Sequence, residues 1–111
     1  MISKEDIIEK HCVPCEGGVA PIAKHDAEET MKHVPHWILS DDGKHITRDF
    51  KFADFKEAMV FVNNVAVLAE AEGHHPNFAI NWNNVRLDLS THAIGGLSTN
   101  DFIVAAQVNA L

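Results

Sequence analysis

Between Asp54 and Glu72 the apolar residues Phe55, Ala58, Met59, Val62, Val65, Ala66 and Ala69 recur at steps of three and four, the spacing of one face of an α-helix. Asp54 and Glu57 make a capping pair at its start, and Gly73 suits the left-handed residue that ends it. Val60, Phe61, Val67 and Leu68 form a second apolar stripe on the other side. A chain of 111 residues with one layer of sheet has too little core to cover both stripes, so self-association through the second is expected, against the alternative of a helix wedged inside its own domain. After Gly73 the period changes to two: Phe78, Ile80 and Trp82 alternate with Asn77, Ala79 and Asn81, and Val85, Leu87 and Leu89 alternate with Arg86, Asp88 and Ser90. Both members of Asn83-Asn84 tolerate positive φ, which predicts a two-residue hairpin turn there, with Trp82 opposite Val85. Upstream, Trp37-Ile38-Leu39, the turn residues Asp41-Asp42-Gly43-Lys44, and Ile46, Phe50 and Phe52 alternating with Thr47, Asp49 and Lys51 predict another hairpin. Three further helices are expected. One is a peripheral arm from Ser3, with Asp6 three residues on, through Glu9. The second is capped by Asp26 on the Glu29 N–H and closed near Val34 by Pro35. The last starts at Ser98 with Asp101 and carries Phe102, Ile103, Ala105, Ala106 and Val108.

Composition narrows the function classes. The net charge of -7 gives no clustered cationic footprint, so nucleic acid is not an expected partner. The first ten residues lack the apolar core of a signal peptide, and no later run reaches the length of a membrane span. We expect a soluble, cytoplasmic protein folded as one domain over residues 1–111. Two cysteines, Cys12 and Cys15, are too few for a disulfide framework. Their C-x-x-C spacing admits a redox pair, half of a zinc site, or packing residues at a loop entrance, and packing explains free cysteines most simply.

The chemistry collects on histidine. Of eight, three become neighbours: extending the hairpin pairing beyond its strands places His75 opposite His92, and His74 stands beside them. Adjacent residues on an extended chain point apart, so a bend is needed, which Gly73 and Pro76 allow. Converging imidazoles suit general acid–base chemistry on a substrate with exchangeable N–H and O–H groups. No nucleophile elbow accompanies Ser90 or Ser98, which disfavours covalent hydrolysis. Three histidines can hold catalytic zinc, but H-H adjacency is not a helical pair and no carboxylate is obviously placed behind them, so no metal is expected. Histidines 11, 25, 33, 36 and 45 read as solvated surface. Asp101 is open between orienting a catalytic histidine and serving as a helix-start carboxylate. Trp82 reads as core rather than a stacking platform for a flat ligand. Glu70 reads as surface, and Gly95-Gly96 as the turn into the last helix.

The run Glu70-Ala71-Glu72-Gly73-His74-His75-Pro76, then Trp82, Ser90-Thr91-His92, Gly96-Leu97-Ser98 and Asp101 closely resembles the pterin-4a-carbinolamine dehydratase family. Upstream the likeness takes in Trp37, Arg48-Asp49-Phe50-Lys51-Phe52, Asp54-Phe55, Ala58, and the arm Cys12-x-x-Cys15-x-Gly17-Gly18. The resemblance implies an α+β fold, a single-layer four-stranded antiparallel sheet with helices packed on one face, forming homodimers or homotetramers. It implies a lyase that dehydrates 4a-hydroxytetrahydropterin, the carbinolamine left by aromatic amino acid hydroxylases, to quinonoid dihydropterin in tetrahydrobiopterin recycling, with no metal or organic cofactor. His74, His75 and His92 match the active-site histidines. Pro76, Thr91, Ala93 and Ile94 fall at positions that line the pterin pocket together with those histidines, and Glu70, Trp82 and Asp101 match the remaining motif positions. Ala93 stands where relatives often carry an acidic or polar residue. Relatives in animals also act as dimerisation cofactors of a homeodomain transcription factor. A non-catalytic cofactor of a hydroxylase or transcription factor is therefore the alternative function, and a His-ligated hydrolase a second.

Overall fold

A computed structural model describes Ile7 and residues 20–111. Helix α1 (Lys24–Thr30) precedes strands β1 (Ile38–Leu39) and β2 (Ile46–Lys51); helix α2 (Phe55–Glu72) leads to β3 (Asn77–Asn81) and β4 (Asn84–Leu89), and α3 (Thr99–Asn109) follows. The four strands form one antiparallel sheet in the order β1-β2-β4-β3. This is the expected α+β architecture. On the central strand β4, Val85, Leu87 and Leu89 are buried while Asn84 and Arg86 are exposed, so helices cover one face and water meets the other. Each of those three side chains contributes about 2 kcal/mol through removal from water. Leu97, Phe102, Val104 and Val108 meet them from the C-terminal segment. Among the described residues no helix is long and apolar enough to cross a membrane.

The long helix forms as its pattern predicts, with the Asp54 side chain accepting from the Glu57 N–H at 2.8 Å and Gly73 left-handed at φ 66°. Its second stripe divides. Phe61 packs on Phe50 and Phe52, with ring centroids 4.4 and 5.1 Å apart, and Leu68 also joins the core. Val60 and Val67 stay exposed, as does Phe55 from the stripe expected inside. In the turn between β1 and β2, Gly43 sits at φ 73°, and a Cβ there would lie 2.9 Å from Cγ of Lys24. That position needs glycine twice over, for its dihedral and for its neighbour.

Three expectations need correction. Helix α1 starts at Lys24 with Ala23 as an N-cap that makes no side-chain bond, so Asp26 lies in the first turn, where a carboxylate still favours the dipole. The hairpin between β3 and β4 closes earlier than expected: Ile80 pairs with Val85 and Phe78 with Leu87. Trp82 therefore occupies the turn, at φ 50° and 61% exposed, instead of the core. Asn83 explains the earlier closure, because its side-chain amide donates to the Phe52 carbonyl and its own carbonyl accepts from the Phe52 N–H, both at 2.9 Å. These bonds tie the turn to the end of β2. Third, Ile7 is helical and fully buried in the core, so the arm expected to be peripheral contributes at least that side chain. The rest of that arm, His11, Cys12 and Cys15 lie outside the described residues.

Candidate active site

Three chain ends meet to build the site. The first is the C-terminus of α2, which closes with the His74 N–H on the Ala69 carbonyl at 3.2 Å and the Gly73 N–H on the Glu70 carbonyl at 3.3 Å. This double bond pattern around a left-handed glycine fixes the backbone of His74 as the chain turns out of the helix. The second is the end of β4, where Thr91 is bridged to Gly96 across a 3₁₀ turn of His92–Ile94. Gly96 is small because a Cβ would meet Cβ of Pro21 at 2.8 Å. The third is the N-terminus of α3, where Ser98 and Asp101 form a reciprocal capping box. The far end of α3 is clamped as well: Asn109 accepts from the Trp37 indole at 2.8 Å and from Arg48 at 2.5 Å, and donates to the Pro35 carbonyl at 3.0 Å.

Asp101 is fully buried. Its Oδ2 accepts from the Thr91 hydroxyl at 2.8 Å and the Ser98 N–H at 2.9 Å, and its Oδ1 faces Nε2 of His74 at 2.6 Å. Position in the first turn of α3 adds the helix dipole to these donors. A buried carboxylate so supplied with donors acts as an acceptor, and the ring nitrogen that faces its Oδ1 is Nε2 of His74. The question left open by the sequence is answered on both sides: Asp101 is a helix-start carboxylate and the partner of a site histidine. His75, the next residue, turns outward, and its Nε2 meets Oε2 of Glu70 at 2.5 Å with both side chains largely exposed.

These groups open onto one cavity of about 760 Å³. His74, His75, Pro76, Thr91, His92 and Ala93 line it, together with Glu70 from the end of α2. Ile94, half-buried, and Trp82 are not part of its wall. His75 and His92 share the cavity without pairing across strands, since the β3–β4 ladder ends at Asn77 opposite Asp88 and the chain bends on either side of it. Glu70, read as surface from the sequence, is exposed yet holds His75. Asn77, Ser90 and Asn100 line the wall without having been anticipated; polar residues at the first turn or the edge of an element carry no periodic signal that would select them. Ser98 was visible only as a helix start, and its hydroxyl lies 2.8 Å from that of Thr91. Among the described residues no three His, Cys, Asp or Glu side chains converge to hold a metal ion. On the opposite face of the sheet His45 pairs with Asp88 at 2.8 Å, so this histidine is more than solvated surface.

One sheet, helices on one side and an imidazole-rich cavity at the sheet end define a small α+β protein with a candidate site where those elements meet. Residues 20–111 match the family model described as pterin 4 alpha carbinolamine dehydratase. The chain is 46% identical over 102 residues to a protein of Methylococcus capsulatus provisionally named pterin-4-alpha-carbinolamine dehydratase, covering 92% of this chain and 90% of that one. It is 47% identical over 105 residues to one of the same provisional name from Halorhodospira halophila, covering 95% and 96%. Among solved structures it is similar to a transcriptional coactivator/pterin dehydratase from Brucella melitensis, at TM-score 0.76 and 32% identity over 81% of this chain and 96% of that one. A pterin dehydratase-like protein identified as a RuBisCO assembly factor in the alpha-carboxysome shares the fold alone, at TM-score 0.57 and 23% identity over 67% of this chain and 86% of that one. The chain belongs to the pterin-4a-carbinolamine dehydratase family.

Proposed function

We propose that this protein is a 4a-hydroxytetrahydropterin dehydratase, a lyase that converts the carbinolamine to quinonoid dihydropterin and water by histidine acid–base catalysis, in the recycling of tetrahydropterin. The observation that carries the reading is the buried His74–Asp101 pair opening, beside His75 and His92, onto a single cavity of about 760 Å³, ample for a fused bicyclic ligand. Loss of the 4a hydroxyl needs a proton delivered to the departing oxygen and a proton removed from N5, so that the nitrogen electrons replace the broken bond. His74, which keeps Nε2–H on Asp101 and gives a proton from Nδ1 after that nitrogen has taken one up, and His92, whose ring makes no bond to any described residue, are the donors. His75, tied to Glu70, takes or orients the N5 proton. Pro76, Thr91 and Ala93 shape the substrate pocket. None of these steps calls on a metal or an organic cofactor.

Stopped-flow measurement of carbinolamine decay with and without the protein tests the proposal. Acceleration that disappears when His74, His75 and His92 are all replaced by alanine supports it. Decay at the spontaneous rate in the presence of folded protein ends it. Homo-oligomers, dimers or tetramers, are part of the reading, with the exposed Val60 and Val67 of α2 as the contact. The description of the Brucella relative as a coactivator favours one second reading, a binding cofactor of a transcription factor or aromatic amino acid hydroxylase. In that case the triple histidine variant keeps partner binding, and the wild type has no effect on carbinolamine decay.

A further inference from the structure

We infer that Thr91 is a positioning residue that sets the tautomer of His74 through Asp101. The inference deepens the dehydratase reading and rests on it for its kinetic part only. The geometry is a directed chain of hydrogen bonds. Asp101 is fully buried and, as an ionised carboxylate, offers acceptors only, so the Thr91 hydroxyl 2.8 Å from Oδ2 donates its single proton to it. Once that proton is committed, the Ser98 hydroxyl at 2.8 Å can only donate to Thr91. With the Ser98 N–H also on Oδ2 at 2.9 Å, that oxygen is saturated from two directions and the carboxylate plane is locked. Oδ1 is then aimed at Nε2 of His74, at 2.6 Å. One tautomer follows, with hydrogen on Nε2 and the exchangeable position at Nδ1.

The fold makes this arrangement rigid at each member. Thr91 is 5% exposed and its backbone is bridged to Gly96 in both directions. Ser98 and Asp101 belong to the capping box of α3, and His74 is the residue that closes the end of α2. Removing the Thr91 hydroxyl leaves Oδ2 with one donor fewer and frees the carboxylate to rotate, after which either ring nitrogen of His74 can face it. The pocket wall at Thr91 stays in place when the replacement keeps the side chain's volume, as valine does. A loss confined to proton transfer is therefore the signature: kcat falls while KM is held.

The test compares Thr91→Val, isosteric but without the hydroxyl, with Thr91→Ser, which keeps it, and with Ser98→Ala, which removes the outer donor together with that hydroxyl's place in the capping box. Long-range ¹H–¹⁵N correlation of the His74 ring reads the tautomer without reference to any activity, and steady-state dehydration kinetics across pH read the consequence. In the wild type and in Thr91→Ser the ring shows the Nε2–H form alone. In Thr91→Val both forms are seen, kcat falls about tenfold, the scale of a lost hydrogen bond to a buried charged group, and KM changes less than about twofold. Ser98→Ala moves both readouts the same way by a smaller amount, and decides the matter if Thr91→Val does not fold. A single unchanged tautomer in Thr91→Val or, failing that, in Ser98→Ala, or a Thr91→Ser chain as impaired as Thr91→Val, overturns the inference. If the wild type proves inactive toward carbinolamine, the ring spectra still judge Thr91 while the dehydratase reading fails separately.

Discussion

Two histidines adjacent in the chain carry two carboxylate partners in very different surroundings. His74 and Asp101 have side chains 13% and 0% exposed, whereas His75 and Glu70 are 56% and 77% exposed. The contact distances are nearly the same, so distance does not separate the pairs; surroundings do. In water-like dielectric an ion pair gains little and is screened by salt, while a buried pair is strongly coupled and costly to break, because the partner left behind has no water to turn to. The buried pair sets geometry, and the exposed pair leaves its imidazole free to move and to exchange protons with solvent.

The sharpest way to break this comparison is to delete each carboxylate in turn. Asp101→Ala strands the Thr91 hydroxyl, the Ser98 N–H and His74 and removes a helix cap. It should lower unfolding stability by about 3 kcal/mol or more in chemical denaturation and reduce the dehydration rate on the order of a hundredfold. A variant as stable as the parent would show that burial is not what distinguishes the pairs. The bend that sends the two rings apart is next in size. Gly73→Ala meets no atom within 4 Å, so its cost is the left-handed backbone alone, about 1 kcal/mol, and a much larger loss would mean that the bend and the dyads are coupled. Glu70→Ala should cost less than about 1 kcal/mol, and that cost should vanish at high ionic strength; a salt-independent loss would place Glu70 with the buried class.

The smallest effect is expected on the far face of the sheet. There Arg86 donates to both oxygens of Asp49, at 2.6 and 2.9 Å, and these hydrogen bonds, with the guanidinium charge, hold the Asp49 carboxyl below its ordinary value and raise Arg86. A depressed carboxyl stabilises the fold at pH above its unfolded value, near 4, and that contribution fades as pH falls through the folded value. Asp49→Asn should therefore flatten the acid limb of the stability profile by a small loss near neutral pH that disappears as pH falls through the folded value, small because both side chains are largely exposed. Acid sensitivity that is undiminished in Asp49→Asn would assign the limb to another carboxylate.

The elements were legible wherever one local rule was strong. The steps of three and four from Phe55 to Ala69, the Asp54 and Ser98 caps and the left-handed Gly73 all stand as expected. The hairpin was legible in its faces but not in its register. A shift by one residue would have turned Val85, Leu87 and Leu89 toward water, but the observed shift preserves every face, so alternation could not detect it. The deciding bonds run from Asn83 to Phe52, 31 residues away in the chain. For the same reason Trp82 was misplaced, and the expected cross-strand meeting of His75 with His92 gave way to a shared cavity beyond the end of the ladder.

The amino-acid order by itself determined which residues are apolar on which face, where the two longer helices begin and where α2 ends, and that imidazoles gather on either side of the β3–β4 hairpin. These are properties of neighbours one to four positions apart, and periodicity and capping report them directly. Tertiary structure alone decided that Asp101 reaches His74 and Glu70 reaches His75. The first joins residues 27 positions apart and depends on how α3 lies against the end of α2; the second spans only five positions but needs the turn at Gly73. Burial then separated the two pairs, because solvent exclusion belongs to the packed molecule as a whole and has no local signature in the chain.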